Sequence, residues 1–237
     1  MLDDETLHAS AVVANCAMNR ERRCVGSNGS SYELNCDLIA FLESRRSRKR
    51  VRWLDVCCGS GLAIAEAAAM LEGDLSHFCF EGIDLAGHFS VSRSSSSGRT
   101  PAKIVLHKTS FESWTATQNY DLVTCVHGLH YIGDKLGTIA RMVNCLADDG
   151  VFIANVDLNN FRFEDGRSAG RSVAKCFNDA GISYDKRHRL IRCEGRKEID
   201  TFGMTYVGAN DQAGPNYTGQ PAVHSVYQKD RRSDSRS

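Results

Sequence analysis

A strand pattern, a glycine-containing turn and a helix pattern follow one another without interruption in this chain. Residues 51–56 form a short apolar run, Gly59 and Gly61 lie in the turn, and residues 62–71 are rich in alanine. Glycine permits a sharp backbone turn and leaves room for a ligand against bare peptide. The first N–H groups of the following helix point towards such a ligand. The segment therefore predicts a ligand-binding turn at the carboxyl end of a strand.

Strand and helix patterns keep alternating after this turn. Apolar runs predict strands at residues 78–83, 103–107, 120–126 and 151–156, and amphipathic patterns predict helices at 135–146 and 171–180. Further strands are predicted at residues 184–193 and 199–207, around a turn at Glu194-Gly195, and near 222–227. Such alternation is typical of βαβ units around a parallel sheet. We expect an α/β three-layer sandwich with a mostly parallel seven-stranded sheet and an antiparallel C-terminal hairpin.

Composition argues against several classes of protein and leaves the function open. The 237 residues suffice for one sizeable domain, and 29 Lys+Arg balance 29 Asp+Glu, which argues against binding nucleic acid mainly through its phosphates. No apolar run approaches the roughly 20 residues that span a bilayer, and the acidic start does not resemble a secretion signal. The ten cysteines form no CxxC pair. We expect a reduced, cytoplasmic protein with buried thiols.

An acidic residue precedes the turn and narrows the choice of ligand. Asp55 begins the order D-x-C-x-G-x-G, whereas a dinucleotide site uses GxGxxG and binds a pyrophosphate. A carboxylate at this place favours a positively charged ligand and disfavours a diphosphate.

With this turn the chain resembles the class I, Rossmann-like S-adenosylmethionine-dependent methyltransferases of the small-molecule type, over about residues 50–160. Their first motif is an acid followed by a G-x-G-x-G turn, and Cys57 stands where the first glycine is usual. The resemblance implies that Asp55 lies near the methionine ammonium group of the cofactor. It also implies that Cys57, Gly59 and Gly61 line the methionyl and ribose portion. As an alternative, Cys57 is only a small packing residue.

Later motifs of this family fall at the ends of the next strands. Asp84 ends the second strand, where the family has an acid for the ribose hydroxyls, and Leu85 follows it. Ser110 and Phe111 come after the third strand, where the family recognises adenine, and His127 follows the fourth, beside the transferable methyl group. Taken singly, an acid at a strand end is also a common turn residue, and Phe111 also suits a core.

The methyl acceptor is expected beyond the carboxyl ends of the strands, beneath the flanking segments. A hydroxyl acceptor needs a general base, and histidine suits this role because it changes charge near neutral pH. We favour His130 over His127, with the adjacent Tyr131 as a further catalytic candidate. A structural histidine and a solvated charged turn are the alternatives. Candidate acceptor-binding residues from the other polar segments are Arg20, Tyr32, Asn159, Arg162 and Tyr217.

The predicted function is transfer of a methyl group from S-adenosylmethionine to a small molecule, with S-adenosylhomocysteine as the product. The arginine-rich stretch at residues 19–23 favours an anionic acceptor, either a carboxylate or a phosphate such as a prenyl diphosphate. Mg²⁺ is expected only for a diphosphate, and no metal site is expected otherwise. The alternatives are a non-methyl transfer or cyclisation with the same cofactor, or a non-catalytic cofactor-binding module.

The domain organisation follows from the flanks of the core. We expect residues 1–50 to form a helical cap over the cofactor and acceptor site, residues 51–228 to form the core, and residues 229–237 to be a disordered tail. The expected partner is a small-molecule acceptor of secondary metabolism, with no nucleic acid and no membrane. The chain is expected to act as a monomer or homodimer.

Overall fold

The parallel strands form where the apolar runs predict them. A computed structural model describes residues 1–14, 21–89 and 100–230. Its first five strands are β1 Val51–Val56, β2 Phe78–Asp84, β3 Lys103–Lys108, β4 Tyr120–Cys125 and β5 Leu146–Asn155. β5 begins at Leu146 rather than at residue 151, because Leu146 already pairs with Tyr120 across an irregularity in the register.

Three helices begin after an aspartate whose side chain accepts a hydrogen bond from an N–H group of the first turn, namely Asp3, Asp37 and Asp134. Asp37 accepts a hydrogen bond from the N–H of Ala40, and Asp134 accepts one from the N–H of Gly137, at the starts of two of these helices. The helices are α1 Asp4–His8, α2 Ala11–Ala14, α3 Ser30–Glu33, α4 Leu38–Ser44, α5 Leu62–Met70, α6 Lys135–Asn144 and α7 Gly170–Asp179.

Seven strands form the main sheet, in the order β3-β2-β1-β4-β5-β8-β7. β1 to β5 run parallel, β8 (Leu190–Glu194) runs antiparallel to β5, and β7 (Ser183–Asp185) runs antiparallel to β8. The strand order reverses between β1 and β4, and a crevice forms at the carboxyl ends of strands at such a point. The predicted fold class is confirmed.

Helices cover both faces of this sheet because successive strand residues point to opposite sides. Trp53 of β1 packs in one core with Leu42 of α4 and Ile64 of α5. Its neighbour Leu54 packs in the other core, which contains Ile139 of α6 and side chains of α7. Burial of each large apolar side chain stabilises the fold by about 1.5–3 kcal/mol. These two cores hold the carboxyl ends of β1, β2 and β4 side by side.

The C-terminal hairpin lies at a different position from the one predicted. Residues 184–193 are not one strand, because Asp185 accepts hydrogen bonds from the N–H groups of Arg187 and His188 and so turns the chain, and Arg189 adopts a φ of 53°. Residues 199–207 do not continue the main sheet. Instead β9 Met204–Asn210 pairs with β10 His224–Lys229 in a second sheet of order β6-β10-β9, where β6 is Phe161–Phe163.

The N-terminal residues pack on this second sheet. Leu2 pairs with Ala209 of β9, and Leu7 of α1 is buried with Ala209 and Val223. β10 includes Lys229, the first residue of the expected tail, and residues 231–237 lie outside the described residues. Within the described ranges, every helix is too short or too polar to cross a lipid bilayer.

Candidate active site

The turn between β1 and α5 contains three residues with left-handed backbone. Cys57, Gly59 and Gly61 have φ values of 59°, 60° and 76°. Glycine adopts this conformation without strain, whereas an L-residue with a Cβ does so at a cost of about 1–2 kcal/mol. Cys57 therefore occupies a position whose backbone is that of a glycine, and Gly61 serves as the N-cap of α5.

The segment after β4 passes directly against this turn. A Cβ on Gly128 would lie 2.4 Å from the Cβ of Cys57 and 2.8 Å from the Sγ of Cys125. Both distances are too short for a real side chain, so only glycine fits at residue 128. This close approach brings His127 to the edge of the cofactor turn.

Asp84 joins the end of β2 to the same turn. Its carboxylate accepts hydrogen bonds from the N–H of Gly59 at 3.0 Å and from the N–H of Ala86 at 2.9 Å. Asp84 is thus a turn residue, as the simpler interpretation expects, and it also borders the cavity described next. The two roles are compatible because a carboxylate has about four acceptor positions.

A cavity of about 410 Å³ opens beside the turn, at the carboxyl ends of β1, β2 and β3. His8 and Val13 reach it from the N-terminal segment, and Ile83 lines its floor. Several residues expected from the sequence line it together: Cys57, Gly59, Asp84, Leu85, Ser110, Phe111 and Tyr131. The other three predicted cofactor-binding residues, Asp55, Gly61 and His127, do not line this cavity.

Ser110 and Phe111 have internal partners as well as a face on this cavity. The Ser110 hydroxyl lies 3.0 Å from the Ser113 hydroxyl and accepts the Ser113 N–H. Phe111 is buried and stacks on Trp114, with ring centroids 5.8 Å apart. The Arg141 guanidinium lies over the Phe111 ring, 5.0 Å from its centroid. Phe111 is accordingly both a core aromatic and a cavity wall.

Asp55 lies behind the turn in a buried chain of hydrogen bonds. The Trp53 indole donates to the Thr124 hydroxyl at 2.8 Å, and the Thr124 hydroxyl donates to Asp55 Oδ1 at 2.6 Å. Burial raises the pKa of Asp55 to about 7, against the opposing effect of the Thr124 hydrogen bond. A cationic group next to Asp55 would favour its ionised form, which is what an ammonium ligand offers.

His127 forms a second cluster with residues from three distant segments. Its backbone is left-handed, with φ 56°, and its N–H donates to the Asn155 side-chain oxygen at 3.2 Å. The Nε2 atom lies 3.0 Å from the carboxylate of Glu33, and the Nδ1 atom lies 3.4 Å from the Tyr217 hydroxyl. His127 itself is buried, and Glu33 lies at the edge of solvent.

His130 lies deeper than His127. Its Nε2 is 3.5 Å from His127 Nδ1, and its own Nδ1 is buried without a hydrogen-bond partner among the described residues. Burial lowers the pKa of His130 to about 3, and the nearby His127 acts in the same direction. A neutral, enclosed imidazole suits packing better than proton exchange with an acceptor.

Tyr217 is held in place by two residues beyond the sheet. Its N–H donates to Asp157 Oδ2 at 3.2 Å, and Arg189 donates to Asp157 Oδ1 at 3.0 Å. The Arg189 guanidinium also lies 4.4 Å from the centre of the Tyr217 ring. The polar loop that the sequence singles out is therefore anchored over His127.

An outer cleft of about 670 Å³ lies on the solvent side of this cluster. Tyr32 and Tyr217 line it together with the carboxylates of Glu33 and Asp37. Among the described residues, no lysine or arginine lines the cleft. The lining also includes His188, and Arg22 Nη1 lies 3.8 Å from the Glu33 carboxylate.

The remaining expected residues fall elsewhere. Arg20 lies outside the described residues. Asn159 is exposed, and Arg162 in β6 borders neither the cavity nor the outer cleft. Arg23 pairs with Glu66, with Nη2 and Oε1 2.5 Å apart. The described cysteines are free thiols, and no group of three potential metal ligands occurs among the described residues.

Sequence reasoning missed Glu33, Thr124 and Asn155. Each lies in an ordinary helix or strand pattern, and its role depends on a partner far along the chain. Of the three, Asn155 could have been recognised from the sequence. It is a polar residue at the end of β5, and polar residues at strand ends lie at the crevice of such a sheet.

Three solved structures illustrate the structural comparison. Magnesium protoporphyrin IX methyltransferase of Synechocystis PCC 6803 is 15% identical, with a TM-score of 0.48, covering 83% of this chain and 99% of that one. The N-methyltransferase NodS of Bradyrhizobium japonicum WM9 is 16% identical, with a TM-score of 0.42, covering 81% and 95%. The plantazolicin methyltransferase BpumL is 13% identical, with a TM-score of 0.38; the match covers 64% of this chain and half of that protein's length.

Sequence comparisons give one match. No curated protein matches the chain. The family model described as a methyltransferase domain matches residues 26–194, which include β1 to β5, α5 and the turn between β1 and α5. The resemblance inferred from the glycine turn and strand-end acids is thereby confirmed, and the chain belongs to the methyltransferase-domain family of S-adenosylmethionine-dependent enzymes.

Proposed function

We propose that this protein transfers a methyl group from S-adenosylmethionine to a small-molecule acceptor held in the outer cleft. The observation that carries the proposal is the cavity beside the glycine turn, which brings Cys57, Gly59, Asp84 and Phe111 onto one wall. His127 precedes Gly128, which lines this cavity, and contacts Glu33 and Tyr217, which line the outer cleft.

The residues present fit this cofactor. Gly59 and Gly128 both line the cavity and present backbone without a side chain to it. Asp55 is a buried acid suited to an ammonium group, and Asp84 keeps acceptor capacity for ribose hydroxyls. When bound, S-adenosylmethionine supplies an activated methyl group, and the protein contributes mainly positioning.

For the general base we favour His127, although the sequence favours His130. His127 contacts Glu33 and the Tyr217 hydroxyl, both of which line the outer cleft, whereas His130 is enclosed and burial lowers its pKa to about 3. Tyr131 lines the cofactor cavity and remains a candidate for contact with the methyl group or its acceptor.

The prediction of an anionic acceptor depends on arginines that pair with carboxylates of the protein itself. Arg23 pairs with Glu66, and Arg22 Nη1 lies 3.8 Å from Glu33 Oε1. We therefore propose a neutral acceptor as the first choice, with a carboxylate or phosphate as the competing outcome. Mg²⁺ enters only if a diphosphate is the acceptor.

The wider setting belongs to the same proposal. His8 and Val13 line the cofactor cavity and Tyr32 lines the outer cleft, which supports residues 1–50 as a cap over both. The sequence also predicts a core at residues 51–228 and action as a monomer or homodimer without a nucleic-acid partner. A cytoplasmic location and a role in secondary metabolism are likewise expectations from the sequence.

Calorimetric titration with S-adenosylmethionine and S-adenosylhomocysteine tests the cofactor site. We expect micromolar dissociation constants for both, and a loss of at least tenfold in Asp84→Ala, with the exposed Asp165→Ala as the matched control. No binding at millimolar cofactor would refute the proposal.

Mass spectrometry of metabolite mixtures incubated with the protein and cofactor tests the reaction. A product heavier by one CH₂ that shows a new methyl signal in its NMR spectrum supports methyl transfer. A larger added group, or the same mass gain with a new ring carbon and no new methyl signal, indicates the alternative chemistry. Binding without any product indicates a non-catalytic module.

A further inference from the structure

The contact between Glu33 and His127 joins the N-terminal segment to the end of β4. Glu33 Oε2 lies 3.0 Å from His127 Nε2, although the residues are 94 positions apart. The hydrogen bond from His127 lowers the pKa of the Glu33 carboxyl, so this group is ionised at neutral pH. An ionised carboxylate only accepts hydrogen bonds, so the proton between the two atoms belongs to His127 Nε2.

Asn155 fixes the backbones that carry these two side chains. Its side-chain oxygen accepts the N–H of His127, and its side-chain nitrogen donates to the carbonyl of Glu33, each at 3.2 Å. Asn155 is itself buried at the end of β5. The three residues therefore form a closed arrangement in which the imidazole cannot turn over without breaking a buried contact.

The other imidazole nitrogen faces the acceptor side. His127 Nδ1 lies 3.4 Å from the hydroxyl of Tyr217, which lines the outer cleft. Burial raises the pKa of Tyr217 to about 12, so its hydroxyl retains its proton and can donate to Nδ1. The same nitrogen also lies 3.5 Å from His130 Nε2, and His127 is buried behind Tyr217 rather than part of the cleft lining. An acceptor hydroxyl therefore reaches Nδ1 by taking the place of the Tyr217 hydroxyl.

We propose that Glu33 is a positioning residue that holds His127 in the tautomer protonated on Nε2, so that His127 Nδ1 takes the proton of a hydroxyl-bearing acceptor. This inference rests on the proposed function and names the chemical class of its acceptor. In this role Glu33 acts through His127, in the way that a carboxylate orients the histidine of other acid–base pairs, while its other oxygen lies 3.8 Å from Arg22 Nη1.

The proton balance of the reaction follows from this arrangement. As the acceptor oxygen forms its bond to the methyl carbon and the carbon–sulfur bond breaks, the O–H proton passes to Nδ1. The positive charge of the sulfonium disappears, and an imidazolium of equal charge forms beside the Glu33 carboxylate. That carboxylate stabilises the new charge, and the proton leaves to solvent after the product departs.

The same arrangement discriminates against an acceptor that is already an anion. A carboxylate brings no proton for Nδ1 to remove, and it enters a cleft lined by Glu33 and Asp37. A hydroxyl compound brings the proton and no repelling charge. We therefore infer that the product is a methyl ether rather than a methyl ester.

Nuclear magnetic resonance of protein labelled with ¹⁵N-histidine tests the tautomer without any acceptor. We expect the His127 signal to show a protonated Nε2 and an unprotonated Nδ1 at pH 8, assigned by comparison with His127→Gln. Glu33→Gln keeps an acceptor oxygen and retains this tautomer, whereas Glu33→Leu removes the acceptor and gives a mixture of both. Glu43→Leu, which removes the carboxylate paired with Arg46, is the matched control and leaves the signal unchanged.

Activity measurements then test the role of His127 Nδ1. The acceptor used is the hydroxyl compound that gains a methyl group in the mass screen. We expect His127→Gln to lower kcat about 100- to 1,000-fold, and Glu33→Gln to lower it less, with KM within threefold in both. S-adenosylhomocysteine binding within threefold of wild type verifies folding.

Three results would overturn the inference: a proton on Nδ1 in the wild type, an unchanged tautomer in Glu33→Leu, or unchanged kcat in His127→Gln. A methyl ester as the sole product also contradicts it. By contrast, failure to bind either S-adenosylmethionine or S-adenosylhomocysteine refutes the proposed function. The tautomer of His127 is measured without cofactor, so that result does not depend on cofactor binding.

Discussion

The side chain of Cys57 fills the space that any side chain at residue 128 would need. A Cβ on Gly128 would lie 2.4 Å from Cys57 Cβ and 2.7 Å from its Sγ. The turn after β1 and the segment after β4 thus pack closely against each other at the wall of the cavity that both of them line.

Gly128→Ala is expected to lower the free energy of unfolding by about 1–3 kcal/mol, because the added methyl group overpacks a filled space. Cys57→Gly alone should change it by less than about 1 kcal/mol, since relief of left-handed strain offsets the added freedom of the unfolded chain. The double variant should recover part of the loss, and urea unfolding measures all three. Strict additivity of the two single effects would contradict the contact.

Cofactor affinity is expected to fall as the pH drops below about 7. Burial raises the pKa of Asp55 to about 7 in the free protein, whereas an ammonium ligand favours the carboxylate. Binding at pH 6 should therefore release up to one proton, and affinity should fall by up to tenfold per pH unit below 7. Calorimetry in buffers of different ionisation enthalpy counts the proton, and Asp55→Asn should abolish the release. Equal proton release by the variant would assign it to another group.

The stability contribution of Asp55 has the opposite direction in the cofactor-free protein. Its folded pKa is above the unfolded value of 3.8, so the folded state binds more protons between about pH 4 and 7. This group therefore stabilises the fold as the pH falls from 7 to 4, and that contribution is lost as the pH rises through 7. Wild type should therefore gain stability relative to Asp55→Asn as the pH falls from 7 to 4, and urea unfolding at several pH values measures the gain.

Lys135 is expected to stabilise the contact between α6 and the second sheet at β10. Its buried ammonium group donates to the carbonyls of Ile132 and Val223 at 2.8 Å and to the Ser225 hydroxyl at 3.0 Å. Lys135→Met leaves these three acceptors without a donor and should lower the free energy of unfolding by about 1–3 kcal/mol. Urea unfolding measures the loss, and Lys175→Met, at an exposed ion pair, should leave stability unchanged.

The effect of Lys135 should depend on pH. Burial lowers its pKa to about 7, so between pH 7 and 10.5 the unfolded state binds more protons than the folded state. The cost of burying this lysine is complete below pH 7 and declines as the pH rises. Wild type should therefore gain stability relative to Lys135→Met between pH 7 and 9.5, and a constant difference would contradict this reasoning.

Asp157→Ala is expected to release the loop that carries Tyr217. The variant removes the acceptor shared by the Tyr217 N–H and the Arg189 guanidinium. Hydrogen exchange should become faster at residues 208–221, while S-adenosylhomocysteine affinity stays within threefold, because the cofactor cavity has a different lining. Asp165→Ala, at an exposed pair, serves as the control. Unchanged exchange in the loop would show that Asp157 does not anchor it.

Local patterns were sufficient for most of the parallel sheet. The strands β1 to β4 and helices α5, α6 and α7 end within a residue or two of the predicted bounds, because apolar periodicity and glycine positions act over a few residues. The hairpin was misplaced because a polar turn at Asp185 lies between two segments that read as one strand. The choice of β10 as partner for β9 depends on packing between distant segments, which no local pattern contains.

In the candidate site too, some features follow from the local sequence and others depend on packing between distant segments. The sequence by itself determined the fold class and the glycine turn, and it predicted Asp55 and Asp84 as cofactor-binding acids, because a glycine turn after a buried strand restricts both backbone and ligand. Only the tertiary structure decided which histidine contacts residues that line the outer cleft. Glu33, His127 and Tyr217 come from separate parts of the chain, and their hydrogen bonds exist only after β4, α3 and the loop at residues 208–221 have packed together. The physical reason is that burial and hydrogen-bond partners, which distinguish His127 from His130, are properties of the assembled chain.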